Sequence, residues 1–104
     1  VIRGEIFRLR LPASRGREQA GARYGVIVQA DELSALSTVL IAPTSRSAPS
    51  RSFRPTITIA DRDTRILVEQ LRAIDVTRLG DLVGRLSAHE IHVLDAALED
   101  VLGL

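Results

Sequence analysis

The 104-residue chain has no cysteine and no lysine, and its aromatics are limited to Phe7, Tyr24 and Phe53. Without cysteine, neither a disulfide nor a thiolate metal site is possible, so stability must come from packing. Three aromatics are too few for a base-stacking sheet of the RNA-recognition-motif type. No apolar run approaches a membrane span and no signal-peptide pattern opens the chain, so a cytoplasmic protein with no membrane partner is expected. Walker loops, dinucleotide fingerprints and G-x-S-x-G elbows are absent as well. The length suits one domain, residues 1–104, with one modest core.

All fourteen basic residues are arginine. Codon bias in a GC-rich genome accounts for such usage, yet arginine is also the better phosphate fork. The distribution is uneven. Residues 1–54 carry nine arginines against four acids, and residues 55–104 carry five against nine, beneath a net charge of only +1. A basic first half hints at an anionic partner.

Period-two patterning dominates most of the chain. "GEIFRLRL" (4–11) alternates, with Phe7, Leu9 and Leu11 on one side and Arg8 and Arg10 on the other. "YGVIVQ" and "STVLIAPT" are β-branched and nearly all apolar, which predicts strands buried on both faces. "DELSAL" between them suits one helical turn. Residues 45–53, rich in Ser, Arg and Pro, read as a surface loop, "RPTITIA" as a strand and "DRDTR" as a polar turn. "ILVEQLRAID" fits helix and strand about equally. "VTRLGDLVGRL" reads as a short turn and a last strand around Leu82 to Leu86. The end is helical. Ser87 and Glu90 form a capping box, Ile91, Leu94, Leu98, Val101 and Leu102 recur at helical spacing, and Gly103 marks the stop. The fold class is therefore mainly β (α+β), a small twisted barrel of five to seven strands closed by a C-terminal amphipathic helix.

Few residues carry obvious chemistry. His89 and His92 stand three apart on the predicted helix, as two metal ligands or two structural histidines would, with no third ligand nearby. Asp61 and Asp63 suit a cation site or a solvated turn. What remains is a set of arginines and hydroxyls at strand ends. Arg15, Arg17 and Arg23 precede one strand, Thr44, Ser45 and Arg46 close another, and Arg51 and Arg54 follow. They read either as an anion site with cationic forks, hydroxyl donors and glycine-exposed amides, or as ordinary surface residues.

In chain order, "RGEIFRLRL", "RGREQAGARYGVIVQ", "TVLIAPTSR", "ILVEQLRAID" and "RLGDLVGRLS" resemble the MazF/PemK/Kid toxins of bacterial toxin–antitoxin systems. Those have an R-G-[DE] strand, then G-S-E-Q-[AG]-G-x-R-P before a buried strand. A strand ending [PA]-[ILV]-T-S follows, then an E-Q-[IV]-[RK]-[TS]-I strand and an R-L-[GT] segment before the last helix. The likeness spans nearly the whole chain. Two positions depart from the pattern: Arg17 replaces the usual Ser, and Tyr24 replaces the Pro after the key Arg.

The resemblance implies a homodimeric SH3-like barrel. It also implies a sequence-selective, metal-independent endoribonuclease that cuts single-stranded RNA or RNA loops and so inhibits translation and growth. No cofactor is implied, because RNA supplies its own 2′-OH nucleophile. The family's catalytic pair falls on Arg23, bridging the scissile phosphate, and Thr44, donating to a phosphate oxygen. Arg15, Arg17, Glu18 and Gln19 become a loop folding over the RNA, and Ser45, Arg46 and Arg51 a grip on flanking phosphates. Gln70 becomes a reader of a base edge or a residue paired with its strand neighbours. A guanidinium with a pKa above about 12 is a poor base, so the proton is expected to leave through water, Glu18 or a non-bridging oxygen. The implied partner is a cognate MazE-like antitoxin whose C-terminal tail lies over the RNA groove. Two other readings stay open. One is a CcdB-like toxin of the same fold that poisons a protein such as DNA gyrase, although "VLGL" lacks the Trp of that group's tail. The other is an inactive barrel that only binds, suggested by Tyr24.

Overall fold

A computed structural model describes residues 1–10 and 23–104. The expected roles of Arg15, Arg17, Glu18 and Gln19 therefore fall outside the described residues. Among the described residues seven strands precede one helix: β1 Glu5–Leu9, β2 Tyr24–Ile27, β3 Thr38–Ser45, β4 Thr56–Ile59, β5 Arg62–Ile66, β6 Arg72–Asp75, β7 Leu79–Arg85 and α1 Ala88–Leu102. Short 3-10 turns occupy Asp31–Leu33, Val68–Gln70 and Val76–Arg78. The strands form one curled antiparallel sheet in the order β4-β5-β3-β2-β1-β7, with β6 also paired to β3. The expected mainly β fold of five to seven strands with a C-terminal helix is found, with the sheet curled into a half-barrel.

The alternation within β1, β2 and β3 sorts side chains into two cores. Ile6, Val26 and Ala42 lie in one cross-strand row and face a cluster completed by Ile57, Ile66, Val68 and the helix residues Leu94 and Ala97. Ile27 and Ile41, one step along, face the opposite way and pack with Val39 and Ile74. Tyr24 through Ile27 are all buried, as their apolar run predicts. β3 is not buried throughout, because Leu40 is 37% exposed. Its neighbours Val39 and Ile41 point into the second core, so Leu40 points away from it.

Two segments fold differently from their sequence reading. "DRDTR" is not a turn but most of β5. The register pairs Ile59 with Arg62, leaving Ala60 and Asp61 as the loop, with φ of 51° and 63°. Positive φ at both positions is the type I′ geometry whose twist matches a hairpin. The strand reads as polar because Arg62 and Asp63 are exposed, whereas Thr64 is buried. "ILVEQLRAID" is neither one helix nor one strand: Ile66 ends β5, Val68–Gln70 turns, and β6 follows. β7 also begins earlier than expected, at Leu79.

The helix forms as its caps predict. The Ser87 hydroxyl accepts from the Glu90 amide at 3.1 Å, and the Glu90 carboxylate accepts from the Ser87 amide at 2.8 Å. Gly103 takes a left-handed φ of 72°, the usual helix stop. Leu94 and Ala97 are buried, but Leu102 is 53% exposed and does not join the core.

The opening Arg3-Gly4-Glu5 holds the fold rather than a ligand. The Arg3 amide donates to Asp31 at 2.7 Å, and its guanidinium donates to the Val28 carbonyl and pairs with Asp95 of α1 at 2.7 Å. Gly4 has φ of +92°, and a Cβ there would stand 3.0 Å from Ile91 Cδ1. The left-handed φ is what favours glycine here, and any side chain would also have to push Ile91 aside. The buried Glu5 carboxylate accepts from the Ile2 amide at 2.7 Å and from Arg85 at 3.0 Å.

Candidate active site

The site arises where β3 changes partners. Along one edge, Thr38 to Ile41 pair with β6, whereas Thr44 and Ser45 pair with β5. Pro43 lies between. Its carbonyl accepts from the Leu67 amide at 2.8 Å, so that side of Pro43 faces the switch, and proline has no N–H to continue the ladder there. The gap is filled by the Val68–Gln70 turn, which stands Gln70 beside the end of β3.

On its other edge β3 pairs with β2, with Gly25 opposite Pro43. One further step puts Tyr24 beside Thr44, and the Thr44 hydroxyl donates to the Tyr24 carbonyl at 3.3 Å. Thr44 is 9% exposed, so its hydroxyl is held at the base of the site. Arg23, at the root of β2, is exposed.

Two adjoining clefts share Arg23, Tyr24, Pro43 and Thr44 as a common wall. The larger, of about 370 Å³, is lined further by Ser45, Arg46, Ser47, Thr64, Leu67 and Gln70. The smaller, of about 80 Å³, has Leu9, Ile41 and Ile74 with Arg72 and Arg78. Among the described residues no carboxylate lines either cleft. Such a surface attracts an anion and supplies guanidinium and hydroxyl donors to it.

The fold thus brings together Arg23, Thr44, Ser45, Arg46 and Gln70 from distant stretches of sequence. It does not bring Arg51, whose exposed guanidinium donates to the Ser50 carbonyl outside both clefts. Tyr24, at the position usually held by Pro, is 8% exposed in the helix-side core, and Arg8 lies 5.7 Å above its ring. It is a packing residue that borders the site. Sequence reasoning passed over Arg72 and Arg78. The signal available was their place in "EQLR" and "TRLG", the stretches around β6.

Arg54 and Glu69 have a structural role. Arg54 donates twice to Glu69, at 2.6 and 3.0 Å, and once to the Pro49 carbonyl, which fastens the loop after β3 to the Val68–Gln70 turn. Hydrogen bonding from Arg54 lowers the Glu69 pKa from its ordinary value, against a smaller opposing effect of burial. A depressed folded pKa means that the unfolded chain takes up this proton first as pH falls. The stabilisation is complete above the ordinary carboxylate range and is lost as pH falls through the lower folded value. Glu69→Gln should remove that part of the acid-side slope in thermal melts taken between pH 6 and pH 3, while Asp63→Asn leaves it in place.

Asp61 sits in the type I′ turn and Asp63 is exposed on β5, while His89 and His92 are both exposed on α1. No group of three or more potential metal ligands occurs among the described residues. No helix of the described residues is long and apolar enough to cross a membrane.

A curled sheet closed by one helix, with an arginine and a threonine on the wall between two clefts that also hold further arginines, defines a small barrel protein with an anion-attracting groove. The family model for the PemK-like, MazF-like toxins of type II toxin–antitoxin systems matches residues 2–102, and the chain belongs to this family. It is 37% identical to a candidate toxin of Mycobacterium tuberculosis, over 100% of this chain and 99% of that one. It is 32% identical to the endoribonuclease MazF of Staphylococcus epidermidis, over 100% of this chain and 92% of that one. Among solved structures, the M. tuberculosis toxin MazF-mt6 superposes with a TM-score of 0.80 at 18% identity, over 96% of this chain and 97% of that one. A mycobacterial endoribonuclease in complex with its cognate antitoxin gives 0.82 at 18% identity, over 100% and 96%. At that identity the structural likeness speaks for the fold alone.

Proposed function

We propose that this chain is a sequence-selective, metal-independent endoribonuclease toxin that cleaves single-stranded RNA in the cytoplasm and thereby inhibits translation and growth. The observation that carries this reading is the pairing of Arg23 and Thr44 on the wall of a groove that no described carboxylate lines. The endoribonuclease relative supports the same activity.

The chemistry follows from the substrate. The 2′-OH attacks the adjacent phosphorus while the P–O5′ bond breaks, which leaves a 2′,3′-cyclic phosphate and a 5′-OH. The proton lost from the 2′-OH leaves through water, Glu18 or a non-bridging oxygen, and the departing O5′ takes one up. Arg23 stabilises the charge that grows on the equatorial oxygens, and Thr44 turns its hydroxyl from the Tyr24 carbonyl towards one of them. Catalysis then consists of in-line positioning and charge stabilisation, and no metal is required to make the nucleophile. Ser45 and Arg46 hold a flanking phosphate, and Gln70 presents its amide to a base edge. Arg15, Arg17, Glu18 and Gln19 contact the RNA, a role that rests on the family resemblance, and Arg51 contacts RNA that extends beyond the groove.

The toxin acts as a homodimer. Leu40, Leu82 and Val83 remain exposed on the isolated chain, which supports a second copy as their cover. A cognate MazE-like antitoxin silences it by laying an acidic or apolar tail over the same groove, so RNA and antitoxin exclude one another. The antitoxin complex formed by the mycobacterial structural relative supports such a partner. Incubating the purified protein with short RNAs in excess chelator tests the activity. Cleavage to cyclic-phosphate ends is expected. Intact RNA in chelator with cleavage restored by a divalent metal would contradict metal independence.

A further inference from the structure

The larger groove gives one side of Arg23 and Thr44 a task, but the smaller cleft on the other side has none. A phosphodiester carries a nucleotide on each side. A strand laid with its scissile phosphate on the shared wall therefore sends one nucleotide towards each cleft. The smaller cleft has an apolar floor of Leu9, Ile41 and Ile74. Arg72 reaches it from β6, directly across from Ile41, and Arg78 from the turn before β7. The Arg78 Nε donates to the Arg10 carbonyl at 2.7 Å, which fixes the guanidinium and leaves its terminal nitrogens for a ligand. The Arg72 guanidinium makes no hydrogen bond or ion pair within the described chain. Among the described residues the cleft is lined by no carboxylate and no side-chain amide.

We propose that this cleft is a base subsite selective for uracil, a reading that rests on the nuclease function above. The apolar floor covers the face of the base, and Arg72 and Arg78 donate to its keto oxygens. Guanidinium groups donate and never accept. Cytosine and adenine turn an amino group towards these donors and are disfavoured. Guanine offers its two acceptors, O6 and N7, side by side on fused rings rather than as two keto oxygens flanking one ring nitrogen, and so does not match two separately placed guanidinium groups. Arg72 and Arg78 are thus specificity-determining residues on the side of the scissile bond opposite Gln70.

The test uses short RNAs of one length in which each base flanking the scissile bond is varied through all four. Cleavage rates are measured for the wild type, Arg72→Gln and Arg78→Gln. Binding of the same oligonucleotides to Arg23→Ala, with and without Arg72→Gln, is followed by fluorescence anisotropy. The proposal expects uracil to be favoured over cytosine on one side of the bond by roughly tenfold or more. It expects Arg72→Gln to collapse that ratio towards one while preferences at other positions persist. Two results overturn it with the nuclease function intact: indifference of the wild type to both flanking bases, or an equal slowing of all sequences by both variants, as plain phosphate contacts would give. If the wild type cuts nothing yet binding shows a uracil preference that Arg72→Gln abolishes, the subsite stands and the nuclease reading falls. If there is neither cleavage nor discrimination, and an acidic peptide binds in an Arg72-dependent way instead, the cleft serves a protein partner and the proposal falls. Circular dichroism confirms that each variant is folded.

Discussion

Arg23→Ala should slow single-turnover RNA cleavage by a factor of 10² to 10³, corresponding to about 3–4 kcal/mol of lost transition-state stabilisation. The arginine stands at the root of β2 on the wall between the clefts and is exposed, so its removal should leave the fold in place. Thr44→Val should act in the same direction. The Thr44 hydroxyl bonds the Tyr24 carbonyl at 3.3 Å, so the substitution also removes one hydrogen bond, worth about 1 kcal/mol of stability. The two losses separate cleanly in measurement, because a small drop in melting temperature cannot produce a hundredfold drop in rate at 25 °C. If Thr44→Val instead melts the protein and the surviving folded fraction cleaves normally, Thr44 is a structural residue. Arg23→Lys keeps the charge but loses the fork, and should recover only part of the rate.

The largest expected effect on stability is at Leu94. This side chain is fully buried where α1 meets the sheet, in the cluster that includes Val26, Ile66 and Val68. Leu94→Ala should cost about 3 kcal/mol, combining lost transfer free energy with the cavity left behind. For a domain of this length that lowers the melting temperature by roughly 12–24 °C. Leu102→Ala, four residues beyond Leu98 at the exposed end of the same helix, should lower it by far less. Equal losses at the two positions would show that the helix packs through a different face.

How far the sequence could be read depended on whether a local rule decided each element. The Ser87/Glu90 box and Gly103 set both helix ends through contacts within a few residues, so the helix was legible. The run Tyr24–Ile27 was legible as a buried strand because a short, nearly all-apolar stretch with β-branched residues suits a strand covered on both faces. The hairpin between β4 and β5 was not. Its turn is Ala-Asp rather than the Asn-Gly that normally signals positive φ, and its second strand exposes Arg62 and Asp63. "ILVEQLRAID" failed for a different reason. Its shape is set by β3, which changes partner at Pro43 and leaves a gap that only a turn fills.

The site was legible chiefly through the family resemblance. From composition alone, Arg23 and Thr44 were two polar residues among many, and only the β2–β3 register sets them at one groove. The Arg-Gly-Glu opening has a different lesson. It marks the family as strongly as any motif, yet Arg3, Gly4 and Glu5 are used up in fastening β1 to α1 and β7. Arg72 and Arg78 escaped notice because their places in "EQLR" and "TRLG" mark them only as neighbours of β6, not as the lining of a cleft. Their importance appears only once β6 is laid against β3.

The most direct test of the central claim is cleavage, in excess chelator, of one short RNA and a set of analogues that each carry a single 2′-deoxy nucleotide. The nuclease account predicts that the unmodified RNA is cut to a 2′,3′-cyclic phosphate and a 5′-OH. It also predicts that one deoxy substitution, immediately 5′ of the scissile phosphate, abolishes the cut while the others leave it intact. Cleavage that persists in every singly substituted analogue, or products ending in a 5′-phosphate, would contradict it.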